Sequence, residues 1–275
     1  MEACIPLGDA VEAICYPRPG SPECRRVIAE LAELGVECYL DYGRCTVGRL
    51  HMIGRGWAAN VFLARMDGRP VAVKALRPDS RRRSVVWEAA AWTAAWWAGA
   101  APEPYAWGLR VLVVEPVLGP RIEEYRAGRI RDLLYLLSRL LWKAYMLDRV
   151  GLLHGELARP HDHVLLRGGE CMPEPFIVDY ESSTLRRSGR SNLTQLVGGL
   201  RRLRGILGWL PGEGWEELRR ILRRYRLGML RGGVVEEVVG VVERYLRRVG
   251  GRVVGAEEED SGPGEGVRVQ LQGDS

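Results

Sequence analysis

A chain of 275 residues with 47% hydrophobic, 27% charged and 8% aromatic side chains is globular in composition, which excludes a disordered or collagen-like polymer and a core too small to stand without staples. The formal charge of +5 is unevenly spread: the last twenty residues hold six acids against Arg268, while the stretch 186–231 holds 12 arginines against Glu213, Glu216 and Glu217. The longest nearly uncharged run, 89–101, is too short to cross a bilayer, and the first twenty residues lack a basic start followed by an apolar stretch, so a cytoplasmic protein with no membrane partner is expected.

In chain order, Val27, Ile28, Leu31 and Leu34 share one face of a helix over 22–35 that Gly35 stops, and strand-like stretches follow at 37–41 and 44–52. Residues 1–50 form an α/β leader with no legible chemistry. From Met52 the pattern becomes strand, glycine turn, strand. The segments 60–66 and 70–76 run or alternate apolar and are joined by Asp67-Gly68, a hairpin signal. A helix rich in Ala and Trp covers 84–98, a buried strand 110–117, and an apolar-faced helix 130–150 (Ile130, Leu133, Leu134, Leu137, Leu140, Leu141) ends before Gly151. Two short strands flank a turn at Gly169. Helices are then expected over 193–210, 214–230 and 234–249, broken at Pro211 and Gly232-Gly233. The tail 255–275, rich in Gly, Glu and Asp, is expected to be disordered. The pattern divides the remainder into 51–118, mostly β, and 119–254, mostly α.

Residue usage is skewed. Of the 40 basic side chains 38 are arginine, and only Lys74 and Lys143 are lysine, so a retained lysine calls for a chemical reason. Three of the four histidines, His154, His161 and His163, fall within ten residues. The cysteines at 4, 15, 24, 38, 45 and 171 contain no C-x-x-C pair, which argues against a zinc ribbon or a thioredoxin motif; they read as buried thiols.

Four segments in order supply the parts of ATP-dependent phosphoryl transfer. GRGWAANV, residues 54–61, is a glycine turn entering a hairpin, where main-chain N–H groups can approach phosphates without a side chain in the way. VAVK, residues 71–74, ends a strand on a lysine able to pair with phosphates and with Glu88, the single acid of the following helix. HGEL, residues 154–157, follows the long helix, and IVDYE, residues 177–181, puts Asp179 at a strand end. These leave two carboxylates for the remaining roles, a base at the acceptor hydroxyl and a magnesium ligand.

With these motifs the chain resembles the protein kinase-like superfamily, and more narrowly the small atypical archaeal members related to the RIO and Bud32 kinases, over about residues 53–195. The resemblance implies an α+β, two-lobed kinase-like fold with a β-rich N-lobe carrying one helix and a mainly α C-lobe, using ATP and Mg²⁺. It would make Gly54, Gly56 and Val61 the nucleotide loop, Lys74 the phosphate-binding lysine, Glu88 its helix partner, and Glu115 to Val117 the hinge to adenine. Glu156 would be the catalytic-loop carboxylate and Asp179 the metal ligand. The chain departs from the family pattern in having Glu156 where an Asp is usual. Its only asparagines are Asn60 and Asn192, so the metal-binding Asn of the loop is missing. Strand register puts His163 in that place, after a two-residue insertion, as a candidate metal or phosphate contact; strict counting would select His161. Glu181 replaces the glycine of the metal motif and could add a carboxylate.

The set HGEL-x-RP-x-x-HV, VDYES and SNLTQ resembles an archaeal group of predicted Ser/Thr kinases that includes a tRNA 2′-hydroxyl kinase. A tRNA acceptor is therefore expected, with Arg186, Arg187, Arg190, Arg201, Arg202 and Arg204 on its phosphates. A protein substrate is the alternative, although no A-P-E segment follows Asp179. A further alternative is a nucleotide-binding pseudokinase acting as an RNA-binding module, which Glu156 and the missing Asn favour and the joint retention of Lys74, Glu88 and Asp179 disfavours.

Overall fold

The computed structural model describes residues 4–168, 171–185, 189–230 and 232–254; the acidic tail, Gly169, Arg186 and Arg187 lie outside them. The chain divides into two compact units. Unit 1 comprises Met1–Trp97, Ala101–Val117 and Asp179–Glu181; unit 2 comprises Ala98–Ala100, Leu118–Val178 and Ser182–Ser275.

Unit 1 is built on one antiparallel sheet. Strand β1 (Cys4–Ile5) is followed by a single helical turn α1 (Val11–Ile14) and by helix α2 (Pro22–Glu33). Ser21 caps α2 by accepting the Cys24 amide at 3.1 Å, and Pro22 occupies the first turn, where its missing N–H costs nothing. Strands β2 (Val36–Leu40), β3 (Cys45–Val47), β4 (Leu50–Met52), β5 (Gly54–Arg55), β6 (Ala59–Met66) and β7 (Arg69–Leu76) come next. The stretch read as one strand over 44–52 is thus a hairpin, turned at Gly48 in the left-handed region. Asp67 and Gly68 take φ of 50° and 70°, the pair of positive values a two-residue loop needs to match strand twist. Helix α3 (Val86–Trp97) leads to β8 (Pro104–Trp107) and β9 (Val111–Val114). The strand order is β1-β2-β6-β7-β9-β8, with β5 on β6, so residues 1–50 contribute to the same sheet as the hairpin. Tyr39 stacks on Phe62 at 5.3 Å in a core shared with Ile14, Leu31, Met52 and Val73.

The buried-thiol reading of the cysteines is corrected for four of the six. Cys4 is bonded to Cys38 and Cys15 to Cys24, while Cys45 and Cys171 remain thiols. Pairing depends on β1 lying against β2 and on α1 meeting the first turn of α2, which spacing along the chain does not reveal.

Unit 2 is mainly helical. A 3₁₀ turn (Ile122–Glu124) precedes helix α4 (Ile130–Arg149), which buries Leu133, Leu136, Leu137, Leu140, Leu141 and Ala144. Then come β10 (Leu152–Leu153), the single turn α5 (Pro160–His163), β11 (Val164–Arg167), β12 (Glu174–Ile177) and β13 (Thr184–Leu185). Strand β11 pairs with β12, and β10 with β13. Helices α6 (Asn192–Leu200), α7 (Gly212–Arg226) and α8 (Val234–Val254) close the unit. The helix expected over 193–210 stops at Leu200. Gly198 and Gly199 weaken it, Leu203 is extended, and the Leu203 carbonyl then accepts the amides of Ile206, Leu207 and Gly208 around a π turn (Arg204–Gly208).

Lys143 has a structural explanation. Its ammonium reaches Glu174 and the Gly99 carbonyl, each at 2.8 Å, and lies 4.3 Å from the centre of the Phe176 ring. Among the described residues, no helix is long and apolar enough to cross a membrane.

The disulfides generate the first prediction. Reduction should lower the unfolding free energy of unit 1 by about 2–4 kcal/mol per bond, whereas Cys171→Ser should leave it unchanged. Denaturant titration with and without reductant measures this, and coincident curves would mean that neither bond closes.

Candidate active site

Strand β6 sets Val61 opposite Lys74 of β7, and β5 sets Gly54 opposite Val61. The glycine turn is tight, with the Gly56 amide donating to the Ala59 carbonyl at 2.9 Å and Arg77 donating to the Gly56 carbonyl at 2.9 Å. Trp57 at its tip is 97% exposed. Glu115 follows β9, its amide donating to the Glu103 carbonyl at 2.7 Å, and Val117 is half-buried.

Lys74 is the centre of unit 1's charged groups. Its Nζ lies 2.6 Å from Glu88 Oε1, 2.7 Å from Asp179 Oδ1 and 3.4 Å from Glu181 Oε2. Arg82 adds a second cation, with Nη1 3.8 Å from Glu88 Oε2 and 3.7 Å from Glu181 Oε2, and Nη2 donates to the Glu181 carbonyl. Burial works against the Lys74 ammonium, but the three carboxylates outweigh it and hold its pKa above the ordinary lysine value. Burial pushes the Glu88 carboxyl up, against the pull of Lys74. Asp179 has φ of 68°, a left-handed conformation that a non-glycine residue keeps only where its surroundings fix it.

Two cations face three carboxylates here, so one negative charge is in excess. Asp179 and Glu181 present hard oxygen donors and both keep partial exposure, which fits a magnesium ion that completes its shell with phosphate and water oxygens. Among the described residues, no group of three or more His, Cys, Asp or Glu side chains could hold a metal by itself.

The HGEL segment belongs to unit 2 and is fixed from two sides. The His154 amide donates to Asn192 Oδ1 at 2.9 Å. His154 Nε2 is 3.0 Å from the Val178 carbonyl, and the Glu156 amide points at Nδ1 from 3.4 Å. A carbonyl only accepts and an amide N–H only donates, so these partners put the imidazole proton on Nε2. Gly155 has φ of 92°, and a Cβ there would come 2.7 Å from the Ser182 carbonyl oxygen, so only glycine fits. Glu156 pairs with Arg159 Nη2 at 2.7 Å and lies 3.5 Å from His163 Nε2. His163 is buried, its ring 5.1 Å from that of His154. His161 lies 3.4 Å from Asp162.

Asn192 is the residue that sequence reasoning passed over. Fully buried, it donates to the Leu152 carbonyl at 2.7 Å and to Asp148 at 3.0 Å, and so anchors the loop's first residue. Asp148 also accepts from Ser191 at 2.7 Å and from Tyr225 at 3.0 Å. The rarity of asparagine in this chain was the available signal. Asn60, the other one, is equally buried and donates to the Ile14 and Tyr16 carbonyls.

Of the arginines expected on RNA, Arg190, Arg201, Arg202 and Arg204 are exposed, and Arg201 lies over the Trp215 ring at 5.3 Å. A cavity of about 310 Å³ in unit 2, lined by Tyr145, Asp148 and Tyr225, contains none of the expected site residues.

No protein-family model matches the chain, and no curated protein does. Among solved structures it is similar to the Rio2 kinase from Chaetomium thermophilum, with 16% identity, coverage of 86% of this chain and 91% of that one, and a TM-score of 0.44. The α+β class expected from the sequence, a β-rich N-terminal part and a mainly helical C-terminal part, is the class the chain has.

The Lys74–Glu88 pair generates the second prediction. Lys74→Met strands a carboxylate that is 1% exposed and should cost about 3 kcal/mol of stability, while Lys74→Met with Glu88→Leu should recover most of that loss. Simple addition of the two single-variant losses in chemical denaturation would show that Glu88 does not depend on Lys74.

Proposed function

We propose that the chain is an ATP-dependent phosphotransferase whose acceptor is a ribose 2′-hydroxyl of tRNA. The observation that carries the transfer chemistry is the Lys74 ammonium held between Glu88 and Asp179, the latter in a left-handed conformation. A fixed, fully ionised ammonium at a strand end beside a glycine turn suits the stabilisation of phosphate charge. In this reading Gly54, Gly56 and Val61 border the phosphates, and Glu115 and Val117 border the adenine. Asp179 and Glu181 would hold Mg²⁺, which when bound neutralises charge developing on the transferred phosphoryl group.

Glu156 takes the proton of the acceptor hydroxyl, and Arg159 and His163 orient its carboxylate. The packing of His163 against Glu156 favours this positioning role over metal binding. The arginine excess of residues 186–231 favours a polyanionic acceptor over a peptide. One observation favours a second reading, nucleotide binding without turnover: Glu156 is already engaged by Arg159 at 2.7 Å.

Incubation with γ-labelled ATP, Mg²⁺, bulk archaeal tRNA and protein extract is expected to place label in the RNA. Asp179→Ala should lose metal-dependent ATP binding. Glu156→Gln should keep ATP affinity and lose roughly 100-fold or more in turnover. Label in protein alone would overturn the RNA acceptor, and ATP binding without transfer to either polymer would establish the second reading.

A further inference from the structure

Several exposed arginines of unit 2 are offset by acids. Arg139, Arg159, Arg224, Arg244 and Arg247 are each paired with a carboxylate: Glu174, Glu156, Glu237, Glu217 and Glu243 in turn. Arg126, Arg202 and Arg204 instead line a single cavity of about 180 Å³ between the 3₁₀ turn and the π turn. None of these three is ion-paired with a carboxylate among the described residues, and Glu123, the acid of the lining, uses its carbonyl to accept Arg126 Nη1 at 2.7 Å.

Main-chain carbonyls hold two of the three guanidinium groups. Arg126 Nη1 also donates to the Tyr125 carbonyl at 2.9 Å, and Arg202 Nη1 is 3.5 Å from the Ala158 carbonyl. Such contacts orient a guanidinium without cancelling its charge. The second contact ties the cavity to the loop carrying Glu156. The two segments are pressed together at Gly199, where a Cβ would come 2.6 Å from the Ala158 carbonyl oxygen and 2.5 Å from Pro160 Cδ. A π turn is itself a rare irregularity, frequent at functional positions.

We propose that Arg126, Arg202 and Arg204 form a subsite for a phosphodiester of the RNA strand that carries the acceptor hydroxyl. The inference rests on the RNA-acceptor reading and deepens it, adding Arg126, which lies outside the basic stretch of the sequence. The cavity is smaller than the roughly 300 Å³ of a pocket for a whole small ligand, and it suits a phosphate group entering as part of a chain. Three arginines lining one small cavity bring positive charge that no acidic partner offsets among the described residues, and a guanidinium can donate two parallel N–H bonds to phosphate oxygens.

The test measures binding of bulk tRNA to the full chain from 50 to 400 mM salt. It compares wild type, Arg126→Gln/Arg204→Gln, and a control of equal charge, Arg224→Gln/Arg247→Gln. The cavity variant should lose about 10-fold in affinity at low salt, with a log–log salt slope shallower by about 1.4–1.8, while the control keeps the wild-type slope and ATP affinity is unchanged in all three. Arg126→Lys/Arg204→Lys should restore the slope but not the full affinity, because an ammonium keeps the charge and loses the fork.

Equal behaviour of the cavity variant and the control overturns the subsite and leaves the RNA-acceptor reading standing if label still enters RNA. Absence of salt-dependent tRNA binding in the wild type overturns both. Inorganic phosphate or AMP competing as well as tRNA at equal phosphate concentration would identify a free-anion site and overturn the polynucleotide assignment.

Discussion

Glu88 is the only acid in a helix that is otherwise alanine, tryptophan, valine and threonine, and its side chain is almost wholly removed from water. A carboxylate in that position requires a cation within a few ångströms, and Lys74 of the neighbouring strand supplies it at 2.6 Å, with Arg82 farther off at 3.8 Å. Meeting this requirement fixes the strand end, the helix start and the ammonium in one geometry. The same ammonium then draws in Asp179 and Glu181, more than a hundred residues later, so that segment 179–181 folds with unit 1 while the residues on either side of it belong to unit 2. The constraint that stabilises unit 1 is therefore also the one that assembles its candidate site.

The two units hold their polar groups by different means. In unit 1 ionised side chains converge on one another and leave an excess negative charge. In unit 2 the loop bearing Glu156 is held by neutral donors and main-chain amides, with one buried carboxylate, Asp148, behind them. This difference suits the proposed roles. Phosphate and metal need strong fixed charge, whereas a proton acceptor needs a defined position and room for its substrate.

Much of this was legible in the sequence because local chemistry dictated it. Alternating strands around Asp67-Gly68, one acid in an apolar helix and two lysines among forty basic residues each pointed to a specific structure that is present. The disulfides were not legible because a pairing is a statement about which elements touch. The early end of α6 was not legible because Gly198 and Gly199 weaken a helix without marking where it stops, and the break depends on Leu203 turning extended. Arg82 and Arg159 were overlooked in an arginine-rich chain where one more arginine carries little information. Arg126 was overlooked for the same reason, and its place beside Arg202 and Arg204 in one cavity is visible only in the fold.

Asp148 receives hydrogen bonds from Ser191, Asn192 and Tyr225, so a single carboxylate joins α4 to both α6 and α7. Four positions spread over 77 residues consequently behave as one heritable character. Loss of the carboxylate would strand buried donors on all three partners at once, so drift at Asp148 through a single neutral step is closed. The junction of these three helices should therefore diverge in jumps between relatives, while the paired surface arginines around it turn over one at a time.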